Sequence, residues 1–436
     1  MEKVAFHTLG CKVNTYDTEA LAEIFEKEGY SIVGFEDRAD VYVINTCTVT
    51  NLGDRKSRQM IRKAKKINKD AIIVVAGCYA QTSPEEVMDI PEVNLVIGNK
   101  DRKSIVNLVN KIKDRPEDKI NAVVNIMKEQ DFEDLSVYEI KGKTRGFIKI
   151  QEGCNQFCSY CIIPYARGPI RSRKPESVIK EVKKLIKAGY KEVVLTGIHV
   201  ASYGKDIGKT SLIELIRDIN ELNDLERIRL SSLEPTLLTR MFLGQLATLE
   251  KFCPHFHVSL QSGSDIILKA MKRKYTSDEY GQYIDNIREY FPQASITTDI
   301  MVGFPGEGDE EFNESYNFVK SIGFSNIHVF KYSPRKGTPA SKYSNQVNGR
   351  IKDKRSKELI GLASNLERAF YEKFIGSTKR VLFEQSLDIN NNIYEGLTNN
   401  YIRVLCDSKE DIRGKILTVY LEGIGQGYMK GRIINS

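Results

Sequence analysis

Cys154, Cys158 and Cys161 share one short loop, Cys154-Asn155-Gln156-Phe157-Cys158-Ser159-Tyr160-Cys161, directly behind the apolar run Phe147 to Ile150. That run opens a regular alternation of strand and helix patterns. Further strand candidates lie at Val193 to Thr196, Ile228 to Ser232, Phe256 to Leu260, Ser295 to Ile300 and Ile327 to Tyr332. Six strands separated by amphipathic segments predict parallel pairing through right-handed crossovers, and so an open, partial (β/α)6 barrel. Active sites of β/α barrels are built at the C-terminal ends of the strands, which is where the cysteine loop falls.

Three thiolates on one tight loop can each take one iron of a cubane, leaving the fourth iron without a protein ligand. An open iron can chelate the amino and carboxylate groups of S-adenosylmethionine. One injected electron then cleaves a carbon–sulfur bond of the sulfonium and yields an adenosyl radical. A zinc site is the alternative, but zinc normally wants four protein ligands and commonly draws them from two separated loops. The fourth ligand is missing locally, although a non-catalytic zinc- and RNA-binding protein stays open as a reading of a different class.

Ahead of this unit, Val4 to Leu9, Val41 to Asn45, Ile72 to Gly77 and Leu95 to Gly98 read as strands with helices between them. They predict a small, mostly parallel α/β domain. Ser83-Pro84-Glu85-Glu86 has the composition of a capped helix start, with a serine cap and a reciprocal glutamate. Cys11, Cys47 and Cys78 each follow a different one of these strands. Parallel strands present their C-terminal ends on one edge, so the three distant thiols are expected to converge and hold a second cluster, again with one iron open. Cys253 and Cys406 lie in apolar surroundings without ligand spacing and read as structural.

Lys128 to Lys143 has linker composition, and Arg350 to Phe374 reads as a long helix ending near Gly376. Beyond it Val381 to Glu384, Tyr401 to Leu405, Leu417 to Leu421 and Tyr428 to Ile433 predict a small OB-like β-barrel. The expected divisions are 1–130, 144–374 and 375–436. The start carries no apolar signal core and no run approaches the length of a membrane span. A cytoplasmic location and no membrane partner are therefore expected. In a reducing compartment the eight cysteines are better read as metal ligands or buried groups than as disulfides. A net charge of +7 permits a nucleic-acid partner without demanding one. Basic residues cluster from Arg55 to Lys69, from Arg167 to Lys191 and at Lys272-Arg273-Lys274, predicting local basic faces.

Thr8-Leu9-Gly10-Cys11-Lys12-Val13-Asn14, Asn45-Thr46-Cys47-Thr48-Val49-Thr50, Ala76-Gly77-Cys78-Tyr79-Ala80-Gln81 and Gln151-Glu152-Gly153-Cys154 resemble motifs of the radical S-adenosylmethionine methylthiotransferase family. So do His257-Val258-Ser259-Leu260-Gln261-Ser262-Gly263 and Val302-Gly303-Phe304-Pro305-Gly306-Glu307. The resemblance runs along essentially the whole chain. The wording at residues 9–14 is most similar to the bacterial branch acting on threonylcarbamoyladenosine of tRNA. Other branches act on isopentenyladenosine of tRNA or on a ribosomal-protein aspartate, and stand as alternatives.

The resemblance implies two [4Fe-4S] clusters, on Cys11, Cys47 and Cys78 and on Cys154, Cys158 and Cys161, with exchangeable S-adenosylmethionine at the second. It implies a TRAM domain at the C-terminus and conversion of the adenosine beside the anticodon to its 2-methylthio derivative. Hydrogen abstraction from C2, delivery of sulfur and transfer of a methyl group from a second S-adenosylmethionine would accomplish this. The partners are then tRNA, an electron donor and a sulfur donor, the last two of unknown identity. Thr196 and Gly197, ending the second barrel strand, and Ser231 and Glu234 after the third, are candidate contacts to S-adenosylmethionine, with local capping the competing role. None of His7, His199, His255, His257 and His328 is assigned to catalysis. Base stacking in the last domain would rest on Tyr401, Tyr420 or Tyr428, because the chain has no tryptophan.

Overall fold

A computed structural model of the chain describes residues 1–135, 144–208, 210–388 and 392–434. Residues 136–143 of the expected linker lie outside the described residues. The N-terminal unit runs β1 (Lys3–Thr8), α1 (Lys12–Lys27), β2 (Ser31–Val33), β3 (Val41–Thr46), α2 (Asn51–Ile67), β4 (Ile72–Gly77), α3 (Cys78–Thr82), α4 (Pro84–Met88), β5 (Leu95–Ile97), α5 (Ile105–Asp114) and β6 (Ile120–Asn121). Its sheet has the order β2-β1-β3-β4-β5-β6, and every pair is parallel. Side chains alternate between two cores: Tyr42, Ile44, Ile73 and Val75 pack on one face, Val41, Val43, Val74 and Ala76 on the other. Burial on both faces is why β3 and β4 read as unbroken apolar runs.

In the central unit β7 (Arg145–Glu152) is followed by a short antiparallel β8 (Arg171–Ser172), then β9 (Glu192–Gly197), β10 (Arg227–Leu230), β11 (His255–His257), β12 (Ser295–Val302) and β13 (Asn326–Lys331). The sheets β10-β9-β7-β8 and β11-β12-β13 are joined by bridges such as Ile228 to Phe252 and Leu233 to Val258. Among the described residues no pairing returns from β13 to β7, so the barrel stays open on that side. Ile148, Ile150, Val193, Leu195, Ile228, Leu230, Phe256 and Ile296 enter the core beneath the outer helices. By period-two alternation the residues between them face the lumen. These are largely polar: Lys149, Glu192, Arg229, His255, His257, Thr297 and His328.

The helix Gly349–Glu372 leads into a closed barrel of β14 (Thr378–Asp388), β15 (Ile393–Thr398), β16 (Arg403–Asp407), β17 (Ile416–Ile424) and β18 (Met429–Ile433), ordered β14-β15-β16-β18-β17. Only the β16 and β18 pair is parallel. The strands that sequence reading passed over are β2, β6, β8 and β15. Three of them span three residues or fewer, too short for a pattern, while Gly396 interrupts the apolar run of β15. The expected cap at Ser83 does not form. Its partner Glu86 is drawn instead to the Tyr79 hydroxyl at 2.6 Å and to Arg58 at 3.1 Å.

The C-terminal barrel docks at the N-terminal ends of the central strands. Arg227 donates to the Leu397 and Arg380 carbonyls at 3.0 and 2.7 Å, and Arg229 to the Asn399 carbonyl at 3.0 Å. Tyr401 stacks on His255 with ring centroids 4.1 Å apart, so it is a docking contact and not the free stacking surface expected of it. The N-terminal unit closes the open side: Tyr16 of α1 donates to the Leu135 carbonyl at 2.6 Å, and Arg335 beyond β13 donates to Asp54 and Thr48 at 2.6 and 2.5 Å.

Candidate functional site

Cys11 lies at the start of α1 behind β1, Cys47 directly behind β3, and Cys78 at the first residue of α3 behind β4. The three come together as the parallel topology requires: the sulfurs of Cys78 and Cys11 both act on Cys47, and that of Cys11 on Cys78. Burial, then repulsion from Cys78 and more weakly Cys11, pushes the Cys47 thiol up to about 11. Gly10 permits this approach. Its φ of +108° is one that L side chains rarely adopt, and a Cβ there would stand 2.9 Å from Cβ and 3.0 Å from Sγ of Cys47.

In the second group Gly153, at φ +74°, lets the chain turn from β7 into the loop. A Cβ there would fall 1.8 Å from the Pro169 carbonyl oxygen. Burial and neighbouring sulfurs push the Cys154 and Cys161 thiols up to about 11 and about 12. Among the described residues no three His, Cys, Asp or Glu side chains stand close enough to share a single metal ion. A tetrahedral zinc site would bring its sulfurs within about 4 Å of one another around one centre. A cubane spreads thiolates over separate irons, and the three thiols of each group fit that donor chemistry.

Groups that sequence reading missed surround both trios. Arg167 Nε donates to Cys78 Sγ at 3.2 Å, and Asn99 Nδ2 lies 3.7 Å from the same sulfur. Arg273 Nη1 donates to Cys158 Sγ at 3.4 Å and its Nη2 to Glu234 at 3.0 Å. The clusters at Arg167 to Lys191 and Lys272 to Lys274 therefore do not form wholly basic faces: Arg167, Arg171, Arg173 and Arg273 point inward and are buried. Their signal was a cation beside cysteine motifs, indistinguishable by composition from a solvated charge run.

The candidate S-adenosylmethionine contacts gather at the ends of β9 and β10. Ser231 Oγ is buried without a hydrogen-bond partner, as a group awaiting a ligand would be. Glu234 is fixed by Arg273 and stands 3.8 Å from His199 Nε2. Thr196 is buried beside them. Gly197 is explained differently: a Cβ there would lie 3.0 Å from both the carbonyl and the side-chain oxygen of Gln151, so its bareness serves strand packing.

Between the two trios lies a buried ion network. Arg167 Nη1 reaches Asp17 at 2.8 Å and Glu152 at 2.9 Å; Arg102 reaches Asp17 at 2.7 Å; Lys149 binds Asp17 and also Glu152 at 2.9 Å. Burial would raise the Asp17 pKa, but Arg102, Lys149 and Arg167 hold it far below the ordinary carboxylate range.

A family model described as Radical SAM superfamily matches residues 148–319, and one described as Uncharacterized protein family UPF0004 matches residues 3–98. The threonylcarbamoyladenosine tRNA methylthiotransferase MtaB of Bacillus subtilis (strain 168) is 44% identical, over 100% of this chain and 97% of that protein. The chain belongs to the radical S-adenosylmethionine methylthiotransferase family. This methylthiotransferase is also 42% identical to the MtaB protein of Aquifex aeolicus (strain VF5), over 96% of this chain and 100% of that one. It is 35% identical to a tRNA-2-methylthio-N(6)-dimethylallyladenosine synthase of Pelotomaculum thermopropionicum, over 99% of this chain and 97% of that one. Among solved structures, the radical S-adenosylmethionine methyltransferase TsrM of Kitasatospora setae superposes with a TM-score of 0.59 at 17% identity, over 78% of this chain and 77% of that one, a likeness of fold. As a member of its family the chain is a transferase that uses [4Fe-4S] clusters and S-adenosylmethionine. Among the described residues no helix is long and apolar enough to cross a membrane.

Proposed function

We propose that this methylthiotransferase converts threonylcarbamoyladenosine, beside the anticodon of tRNA, to its 2-methylthio derivative. The reading rests above all on end-to-end similarity to proteins of that name, carried by a chain that sets two cysteine trios behind strand ends. Cys11, Cys47 and Cys78 would hold one [4Fe-4S] cluster, and Cys154, Cys158 and Cys161 the other. When bound, these clusters and S-adenosylmethionine supply one-electron cleavage of a carbon–sulfur bond, and sulfur and methyl for insertion at C2 of adenine. An electron donor and a sulfur donor complete the set of partners. Residues 1–130, 144–374 and 375–436 would act as its three domains, the last being TRAM.

The chain's own residues bind and orient. Ser231 and Glu234 would meet polar groups of S-adenosylmethionine, Glu234 being aimed by Arg273. Arg167 and Asn99 place donors on Cys78 and so would moderate the negative charge of a thiolate there. Phe330, half-exposed on the lumen side of β13, offers a flat face for the adenine, and a base in a loop is unstacked at lower cost than one in a duplex. The test is mass spectrometry of nucleosides after anaerobic incubation of reconstituted enzyme, reductant, sulfide and S-adenosylmethionine with tRNA carrying threonylcarbamoyladenosine or isopentenyladenosine. A methylthio product on the first substrate alone is expected. Product on the second alone would overturn the substrate, and product on neither would overturn the tRNA reading.

A further inference from the structure

Lys12 follows Cys11 directly and opens α1, where that helix lies along β7. Lys12 is exposed to solvent, and Tyr401, Arg145, Arg229 and Glu192 all act on its charge, as it acts in turn on that of His255 and His328. A crevice lined by Lys12, Thr15, Arg145, Phe147, Glu384 and Gln385 opens at this point. The other charges facing Lys12 are already matched. Arg145 is paired with Glu384, and Arg229 with Glu192 at 2.7 Å. Lys12 has no hydrogen-bond or ion-pair partner among the described residues. The local field is positive enough to lower the Tyr401 pKa, although burial alone would raise it.

A cation that lines a crevice without a partner of its own, one residue from a cluster ligand, is a group that can receive an anion. The threonylcarbamoyl substituent carries one: threonine is joined through a urea linkage to the adenine nitrogen and ends in a free carboxylate. An isopentenyl substituent has no charge to offer. We infer that Lys12 is a specificity-determining residue that receives the threonine carboxylate of the substrate, with the Arg145 side of the crevice as its wall. The inference rests on the substrate reading above. It explains how the chain would select its base by the charge at the far end of the substituent, away from the reacting carbon. A site that offers such a charge loses a charge-assisted contact whenever a neutral analogue enters, which is a mismatch that discriminates between the two substituents.

The test uses full-length, anaerobically reconstituted protein and a fluorescently labelled anticodon stem-loop RNA. The RNA carries threonylcarbamoyladenosine either as the free acid or with the carboxylate converted to the primary amide. Both RNAs have the same phosphates, so the ratio of their dissociation constants reports the carboxylate alone. Wild-type protein is expected to prefer the acid by about ten- to hundredfold, Lys12→Met to bind both alike, and Lys12→Arg to retain most of the preference. An undiminished preference in Lys12→Met overturns the inference. So does a wild-type protein that binds acid and amide equally, a comparison that stands even if Lys12→Met fails to hold its clusters. If wild type makes no methylthio product on the free-acid RNA, the substrate reading falls and takes the inference with it. Product on the free acid with no acid preference in binding overturns the role of Lys12 alone.

Discussion

Burial keeps the thiols of Cys47, Cys154 and Cys161 protonated at neutral pH, with pKa values of about 11, 11 and 12. Metal binding takes thiolates, so cluster assembly must release protons. Reconstitution followed in weakly buffered solution with a pH indicator is expected to release protons in step with iron uptake, and to slow as the pH is lowered. Asp17 is the opposite case, a carboxylate held charged by three cations despite its burial. Its folded-state pKa lies below the unfolded value of about 3.9. The stability it contributes is therefore present above that value and is lost as pH falls through the folded pKa. Arg167→Met removes one of the three cations and is expected to cost about 3 kcal/mol, read as a lower urea midpoint at pH 7. Wild type and variant should converge once the pH is low enough to protonate Asp17. A gap as wide in acid as at pH 7 would mean that Arg167 contributes by packing alone.

At the scale of elements, the strand-end position of each cysteine depends on turns that only glycine makes easily. Gly10→Ala is expected to lower iron from about eight to about four atoms per chain, because the added Cβ would press on Cys47 while the Cys154 loop is untouched. Iron and sulfide analysis checks this, and equal loss from both sites would overturn it. α2 keeps an exposed basic stripe in Arg55, Arg62 and Lys66, whereas Lys63 is paired with Glu36. Charge reversal of these three exposed residues is expected to weaken RNA binding and flatten its salt dependence, by about 0.7 to 0.9 in slope for each phosphate no longer neutralised. The cysteine positions were legible in the sequence because strand periodicity and spacing are local, and parallel order then converts them into a place. Arg167 and Arg273 were not, since a buried arginine beside a sulfur and a surface one are written alike. Tyr401 misled for a related reason: aromatic character signals stacking but does not name the partner, which proves to be His255.

For the whole molecule, the lumen is closed by three parts of the chain, with β7 to β13 as its wall, α1 across its open side and β14 to β18 beneath. Tyr401→Ala removes a stacked ring and leaves Arg229 without its aromatic neighbour, whose centroid is 4.9 Å from the guanidinium. It is expected to destabilise the molecule by about 3 kcal/mol, measured as a lower thermal midpoint with cluster absorbance unchanged before the transition. Neither lumen nor docking was visible from residue patterns, because polar positions facing inward look like polar positions facing water. The ion network of Asp17, Glu152, Lys149, Arg102 and Arg167 draws its members from both sides of the boundary between the first two units. It therefore makes those units poor candidates for exchange between relatives. A graft that imports the front unit alone would carry Asp17 and Arg102 into a setting chosen for other charges, so in inheritance the two halves must drift together or be replaced together.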